Sequence, residues 1–253
     1  MLLGLYQMTS PAGDLSAGVG VVNRALGRAA AQGVGMLVLP ELAVPGYGAC
    51  VSGAAPQVQH QVAALAARHK VALTIGLPEL ADGVVYNSAY TFGPDGQVLA
   101  RHRKIQLFGP DEARAFVPGN AYCTFQHQGI RFGLLICYDV EFPEHVRALA
   151  RLGAQVILVP TANMMPFVNV NQIAVPARAF ENGVTVVYAN YCGTEGALSY
   201  TGLSGIFGPD GYLLGGKGQG EGLCVAECPN GWSEHGIPTS TQLSDIRRIG
   251  EHP

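Results

Sequence analysis

Short runs rich in Val, Ile and Leu, each closed by Gly or Pro, alternate along this chain with stretches whose apolar residues recur every three to four positions. Runs of the first kind suit buried strands, and stretches of the second kind suit helices with one apolar stripe. Strands are predicted from Leu2 to Gln7, Met36 to Pro40, Ala72 to Leu77, Val85 to Phe92, Phe132 to Tyr138, Gln155 to Pro160, Thr185 to Tyr191, Gly202 to Phe207 and Gly222 to Glu227. Helices are predicted from Asp14 to Ala31, Gln57 to His69, Pro143 to Leu152 and Val170 to Asn182. Such alternation restricts the chain to an α/β layered architecture. The segment Phe92-Gly93-Pro94-Asp95-Gly96 recurs as Phe207-Gly208-Pro209-Asp210-Gly211, each copy lying between apolar runs. Pro followed by Gly sets a chain reversal, so both copies mark β-hairpins. Two similar sheets facing each other would accommodate the repeat.

Composition narrows the functions open to such a fold. With 253 residues and 48% hydrophobic content, one domain with a sizeable core is the simplest organisation. The tail from about residue 229, carrying Pro229, Gly231, Gly236 and Pro238, reads as an irregular C-terminal arm. Charged residues make up 13%, against roughly 25% in an average soluble protein, which suggests that another subunit covers part of the exterior. A net charge of -3 without a basic stripe argues against nucleic acid or an anionic membrane as a partner. The apolar start from Met1 to Gln7 lacks the basic region of a signal peptide, and no apolar stretch approaches the roughly 20 residues of a membrane span. Six scattered cysteines, without CxxC pairs, fit a reducing compartment, and the cytoplasm is the expected location. The seven histidines lack metal-site spacing, so neither a metal nor another cofactor is expected. Gly211 to Lys217 approximates a phosphate-binding loop, but Gly218 replaces the hydroxyl residue that would hold magnesium, and no helix pattern follows.

Chemistry concentrates at Cys137. It closes the run Phe132-Gly133-Leu134-Leu135-Ile136 and precedes Tyr138-Asp139-Val140-Glu141-Phe142-Pro143-Glu144, where Pro143 suits the first turn of a helix. A cysteine presented between a strand and a helix N-terminus is placed for nucleophilic attack, and the helix dipole is expected to favour its thiolate. A lone cysteine more often simply packs. Attack on an amide also needs a proton carrier and a positive group for the oxyanion. Glu41 directly follows Met36-Leu37-Val38-Leu39-Pro40, at the carboxyl end of a strand, where open α/β sheets place ligands. Lys104, in Arg101-His102-Arg103-Lys104-Ile105, offers a cation, although a basic run by itself usually marks a solvated sheet edge. Glu112 lies after the turn at Phe108-Gly109-Pro110.

Together these segments are recognisable. Leu39-Pro40-Glu41, Arg103-Lys104-Ile105-Gln106-Leu107-Phe108 and Leu135 to Glu144 resemble, in order, the three signature segments of the nitrilase, or carbon–nitrogen hydrolase, superfamily. Arg178 to Asn182 and Tyr188 to Cys192 resemble its later elements. The resemblance implies a four-layer αββα sandwich, two facing mixed sheets flanked by helices, usually paired into a homodimer. It also implies Glu41 as general base, Lys104 and the Tyr138 N–H as oxyanion donors, and Glu112 as an additional positioning acid. Cys137-Tyr138-Asp139 is similar to the amidase and carbamoylase branches, where true nitrilases tend to carry Trp-Glu after the cysteine. Glu141 stands where branches taking acidic substrates commonly carry arginine, which favours neutral or amine-bearing amides. Val159 to Pro166, including Asn163, is similar to short-chain aliphatic amidases such as 5-aminopentanamidase. Phe167-Val168 and Pro176 depart from those relatives, which typically carry Tyr-Asp and Arg.

The expected function is therefore cofactor-free hydrolysis of a small amide through a Cys137 thioester, with amide and water as the small-molecule partners. Tyr138, Glu141, Asn163 and Phe167 are the expected substrate contacts. Carbamoyl-amine or nitrile hydrolysis on the same three residues is the nearest alternative. A papain-like pairing of Cys137 with His102, His127 or His145, and a non-catalytic scaffold, are the alternatives of other classes.

Overall fold

The computed structural model describes residues 1–48, 55–228 and 240–247. Most of the expected C-terminal arm and Cys50 lie outside these residues. In chain order the elements are β1 (Leu2–Thr9), α1 (Leu15–Ala31), β2 (Val34–Val38), α2 (Ala55–His69), β3 (Ala72–Ala81), β4 (Val84–Phe92), β5 (Val98–Arg103), α3 (Gly109–Ala115), β6 (Cys123–His127) and β7 (Ile130–Leu134). There follow α4 (Pro143–Arg151), β8 (Val156–Pro160), α5 (Val175–Asn182), β9 (Thr185–Ala189), β10 (Tyr191–Cys192), β11 (Thr194–Glu195), β12 (Leu198–Ser199), β13 (Gly205–Phe207), β14 (Leu213–Gly216), β15 (Gly222–Glu227) and α6 (Gln242–Asp245).

Two mixed sheets carry the architecture. The first runs β10-β1-β2-β3-β4-β5, with β15 antiparallel to β1, and the second runs β14-β13-β9-β8-β7-β6. Their inner faces close on one apolar layer that includes Leu3, Leu5, Met36 and Val38 from the first sheet and Phe132, Leu134, Val156 and Leu158 from the second. Helices α1 and α2 cover the outer face of the first sheet, and α4 and α5 that of the second, each over its own core. This is the expected αββα sandwich.

Local chemistry explains the elements. Asp14 caps α1 by accepting the Ala17 N–H at 2.9 Å, satisfying one of the donors a helix start leaves free. Gly18, Val21, Val22, Ala25, Leu26 and Ala29 of α1 are buried, a three-four spacing that presents one stripe to the sheet. Gly18 belongs to packing, since a Cβ there would lie 2.1 Å from the Val44 carbonyl oxygen. Both Phe-Gly-Pro-Asp-Gly segments join antiparallel pairs, β4 with β5 and β13 with β14.

Several boundaries move. The strand expected to reach Tyr138 stops at Leu134, and Cys137–Glu141 form a short 3-10 turn. The helix expected from Val170 begins as a π turn over Val170–Ala174 before α5. The strand expected to reach Tyr191 breaks at Asn190, whose amide side chain bonds to Asn163, Thr201 and Gly202 instead of continuing the ladder. Strand β5 carries Arg101, His102 and Arg103 at the sheet edge, so it lacks the apolar run that would announce it. Among the described residues, no helix is long and apolar enough to cross a membrane.

Candidate active site

Four segments bring their ends together where the two sheets meet. Glu41 follows β2, and its backbone is held from both sides: its N–H donates to the Thr161 carbonyl at 3.3 Å, and its own carbonyl accepts the Tyr191 hydroxyl at 2.8 Å. The neighbouring strand admits this turn only because residue 76 is glycine. A Cβ on Gly76 would stand 2.5 Å from the Glu41 Cα. Leu42 then turns the chain with φ +50°, a left-handed conformation that a branched side chain adopts only at a cost.

Lys104 follows β5 and extends its pairing, the Lys104 N–H donating to the Asn87 carbonyl at 2.8 Å. Its side chain turns inward and is completely buried, unlike the solvated edge a basic run usually marks. The ammonium donates to Glu41 Oε1 at 2.7 Å and to Glu112 Oε1 at 2.6 Å, which leaves its third hydrogen free. Arg101 and Arg103, on the opposite face, pair with Glu79 instead.

Glu112 sits in α3, a helix of seven residues that apolar spacing does not announce. Its Oε1 also accepts the Tyr47 hydroxyl at 2.6 Å, and Oε2 accepts the Phe108 N–H at 2.9 Å. The Asn87 amide donates to Glu41 Oε1 at 2.7 Å. Glu41 Oε2 is buried and without a partner among the described residues. An unpaired buried carboxylate oxygen costs stability, and sites that bear this cost are frequently functional.

Cys137 holds φ +44°, so the backbone is strained at the residue that carries the thiol. The residue is half-buried and lines a tight pocket of about 20 Å³ together with Tyr47, Phe108, Tyr138, Glu141, Asn163 and Phe167 among others. Every expected substrate contact therefore reaches the nucleophile's pocket. Phe108 meets both Tyr138 and Phe167 edge to face, at centroid distances of 5.3 and 5.9 Å, forming an aromatic wall. Tyr47, Phe108 and Met164 also line a wider outer cavity of about 720 Å³. The Tyr138 N–H, in the first turn of the 3-10 segment, has no backbone partner among the described residues, as the first donors of a helical turn commonly do not.

The proton affinities correct one expectation. Burial and the Glu41 carboxylate raise the Cys137 thiol well above its ordinary range, outweighing Lys104, the Thr161 hydroxyl and the Ala162 N–H, which favour thiolate. A five-residue 3-10 turn separates the thiol from α4, so little helix dipole acts on the sulfur. Burial also raises Glu41, as does Glu112, against the opposing pull of Lys104, and a carboxylate with raised proton affinity is suited to accept a proton. For Lys104 burial works against the charge, but the Glu41 and Glu112 carboxylates overcome it and hold the ammonium charged.

Two of the three histidines weighed for a pairing with Cys137 bond to other side chains. His102 Nε2 lies 3.2 Å from Asp139 Oδ2, and His145 contacts Gln106 and Tyr122. Asn87, Tyr47 and Thr161 are site residues without a motif or a period to reveal them.

A thiol lining a pocket, with a buried carboxylate and a buried ammonium near enough to influence its proton affinity, is an arrangement suited to nucleophilic hydrolysis. The carbon-nitrogen hydrolase family model matches residues 2–234. A protein described as a hydrolase in the pqqF 5′ region of Pseudomonas protegens is 39% identical over 221 residues, spanning 84% of this chain and 78% of its own. An (R)-stereoselective amidase of Pseudomonas sp is 35% identical over 234 residues, 90% of this chain and 84% of its own. The amidase from Nesterenkonia sp. AN1 aligns with a TM-score of 0.89 at 36% identity, covering 98% of this chain and 96% of that structure. That structure is of a mutant showing the result of Michael addition of acrylamide at the active-site cysteine. The chain belongs to the carbon–nitrogen hydrolase family, within the nitrilase superfamily, and is an enzyme of that family.

Proposed function

We propose that this protein is an amidase that converts a small, neutral or amine-bearing aliphatic carboxamide to the carboxylic acid and ammonia through a thioester on Cys137. The observation that carries this reading is the Lys104 ammonium held between Glu41 and Glu112, with the second oxygen of Glu41 without a partner among the described residues and the Glu41 carboxylate near enough to raise the Cys137 proton affinity. Glu41 takes the thiol proton as the sulfur adds to the amide carbon. The oxyanion is met by Lys104 and the Tyr138 N–H, as preorganised donors stabilise developing charge. The proton on Glu41 passes to the nitrogen, the C–N bond breaks and ammonia leaves. Water, deprotonated by Glu41, then adds to the thioester, and the thiol is regenerated as the acid departs.

Substrate class follows from the pocket wall. Among the described residues lining it, Glu141, partly exposed, is the one with a charged side chain, and none is arginine. A carboxylate there repels an acidic substrate and attracts an amine. Glu141→Arg is expected to shift the ratio of kcat/KM for ω-amino over ω-carboxy amides by at least about tenfold towards the acidic substrate. An unchanged ratio removes Glu141 from substrate selection. The broader reading is tested by ammonia release from aliphatic amides, ω-amino amides, N-carbamoyl compounds and nitriles. Release from amides supports it, and exclusive turnover of carbamoyl compounds or nitriles replaces it.

We read the protein as a single-domain cytoplasmic homodimer. The five described cysteines are free thiols, which suits a reducing compartment. On the outside of the second sheet Ile173, Phe180 and Tyr212 are exposed, and Phe180 packs beside the hairpin turn at Gly211. Apolar side chains grouped in this way mark contact surfaces. A solution mass of twice 26.5 kDa is expected by light scattering, and a mass of 26.5 kDa at micromolar concentration contradicts the dimer.

A further inference from the structure

Lys104 and Cys137 belong to different sheets. Lys104 follows β5 at the edge of the first, and Cys137 follows β7 of the second. Between the sheets the contact is an apolar layer, which attracts without direction and tolerates small displacements. Catalytic groups, by contrast, must be held to within about 0.5 Å. A directional link between the two sides is required, and one side chain supplies it.

Asp139 is fully buried two residues beyond Cys137. Its Oδ1 accepts the N–H groups of Ile105 at 3.1 Å and Gln106 at 2.7 Å, the two residues that follow Lys104. Its Oδ2 accepts the N–H of Ile136, which precedes Cys137, at 3.0 Å, and lies 3.2 Å from His102 Nε2 on β5. These four donors match the four lone-pair sites of a carboxylate. His102 Nδ1 is buried without a partner among the described residues, so the proton of a neutral ring belongs on Nε2, facing Asp139.

We propose that Asp139 is a positioning residue which clamps the chain leaving Lys104 to the turn that presents Cys137, and so sets the ammonium-to-sulfur geometry of the reaction. It touches no substrate and acts through the two residues it aligns. The proposal rests on the amidase reading above for its kinetic consequence, but its geometric content stands separately. Aspartate suits the position because asparagine has one acceptor oxygen. In Asp139→Asn either the pair Ile105 and Gln106 or the pair Ile136 and His102 faces an NH₂ group, and that side of the clamp opens.

Since a misplacement of about 1 Å can cost a hundredfold in rate, Asp139→Asn is expected to lower kcat by about 100-fold with KM within about threefold of the unsubstituted enzyme. Rates are to be expressed per mole of folded protein, with folding checked by circular dichroism. A folded variant whose kcat stays within threefold, or one that loses only KM, overturns the proposal. Amide hydrogen exchange in the unsubstituted protein decides the case in which the variant does not fold. Ile105 and Gln106 lie outside every strand and are only partly buried, so their N–H groups are protected through Asp139. They are expected to exchange at least about 30-fold more slowly than unprotected loop amides, and exchange at the unprotected rate overturns the clamp. If the unsubstituted enzyme turns over no amide, the functional reading fails alone, and these exchange rates still judge Asp139.

Discussion

Cys137→Ala is expected to lose at least about 10⁴-fold in ammonia release while keeping the wild-type fold, because removing a covalent nucleophile leaves only binding and oxyanion stabilisation. The fold has little reason to change. Cys137 is a half-buried residue outside the apolar core clusters, and alanine meets the same strain at φ +44°. Asp139, which ties the turn in place, is untouched. Melting temperature and near-ultraviolet circular dichroism should match the unsubstituted protein. Full turnover by the alanine variant would remove Cys137 from the chemistry, and a folded but inactive variant ties the loss to the thiol.

Glu41→Gln separates the proton carrier from the scaffold. Glutamine keeps one oxygen to accept from Asn87 and Lys104, and Lys104 retains its pair with Glu112, so the site keeps its framework. What disappears is the oxygen left without a partner, now replaced by a donor. A positioned acid–base group contributes about 10² to 10⁴ in rate, and a fall of about 10³-fold in kcat is expected. The thiol responds in the opposite sense. Burial remains, but the negative charge of Glu41, which raises the Cys137 proton affinity, is gone, while Lys104 still favours thiolate. The pH midpoint for alkylation of Cys137 by iodoacetamide should therefore move down in the variant. Slow turnover with an easier thiol ionisation is the joint signature of a lost base. Unchanged turnover, or a midpoint that moves up, contradicts the assignment.

The layered architecture was legible in the sequence because strands buried on both faces and amphipathic helices impose different periods, as the buried positions of α1 illustrate. Segments governed by something other than a period were not. Strand β5 is written in charged residues, since it lies at an edge and must deliver Lys104 inward while Arg101 and Arg103 face Glu79. The short helix α3 carries Glu112 in about two turns, too few residues for a stripe to emerge. Glu41, Lys104 and Cys137 stood out through the segments around them. Asn87 and Tyr47 did not, because their role lies in contacts across 46 and 65 positions of sequence. The ionisation of Cys137 was misjudged for a related reason. A strand followed by a proline-started helix suggests a thiol at a positive helix end, whereas the net charge state depends on burial and on Glu41, which the local sequence does not contain.

The central claim is that one acyl group resides on Cys137 between loss of ammonia and arrival of water. The most direct test offers the enzyme hydroxylamine and measures the ratio of hydroxamate to free acid from a primary amide and from the methyl ester of the same acid. A shared thioester forgets its leaving group, so the two substrates should give the same ratio at each hydroxylamine concentration, and both products should vanish with Cys137→Ala. A ratio that differs between amide and ester, or that survives in the alanine variant, would contradict a common acyl-enzyme.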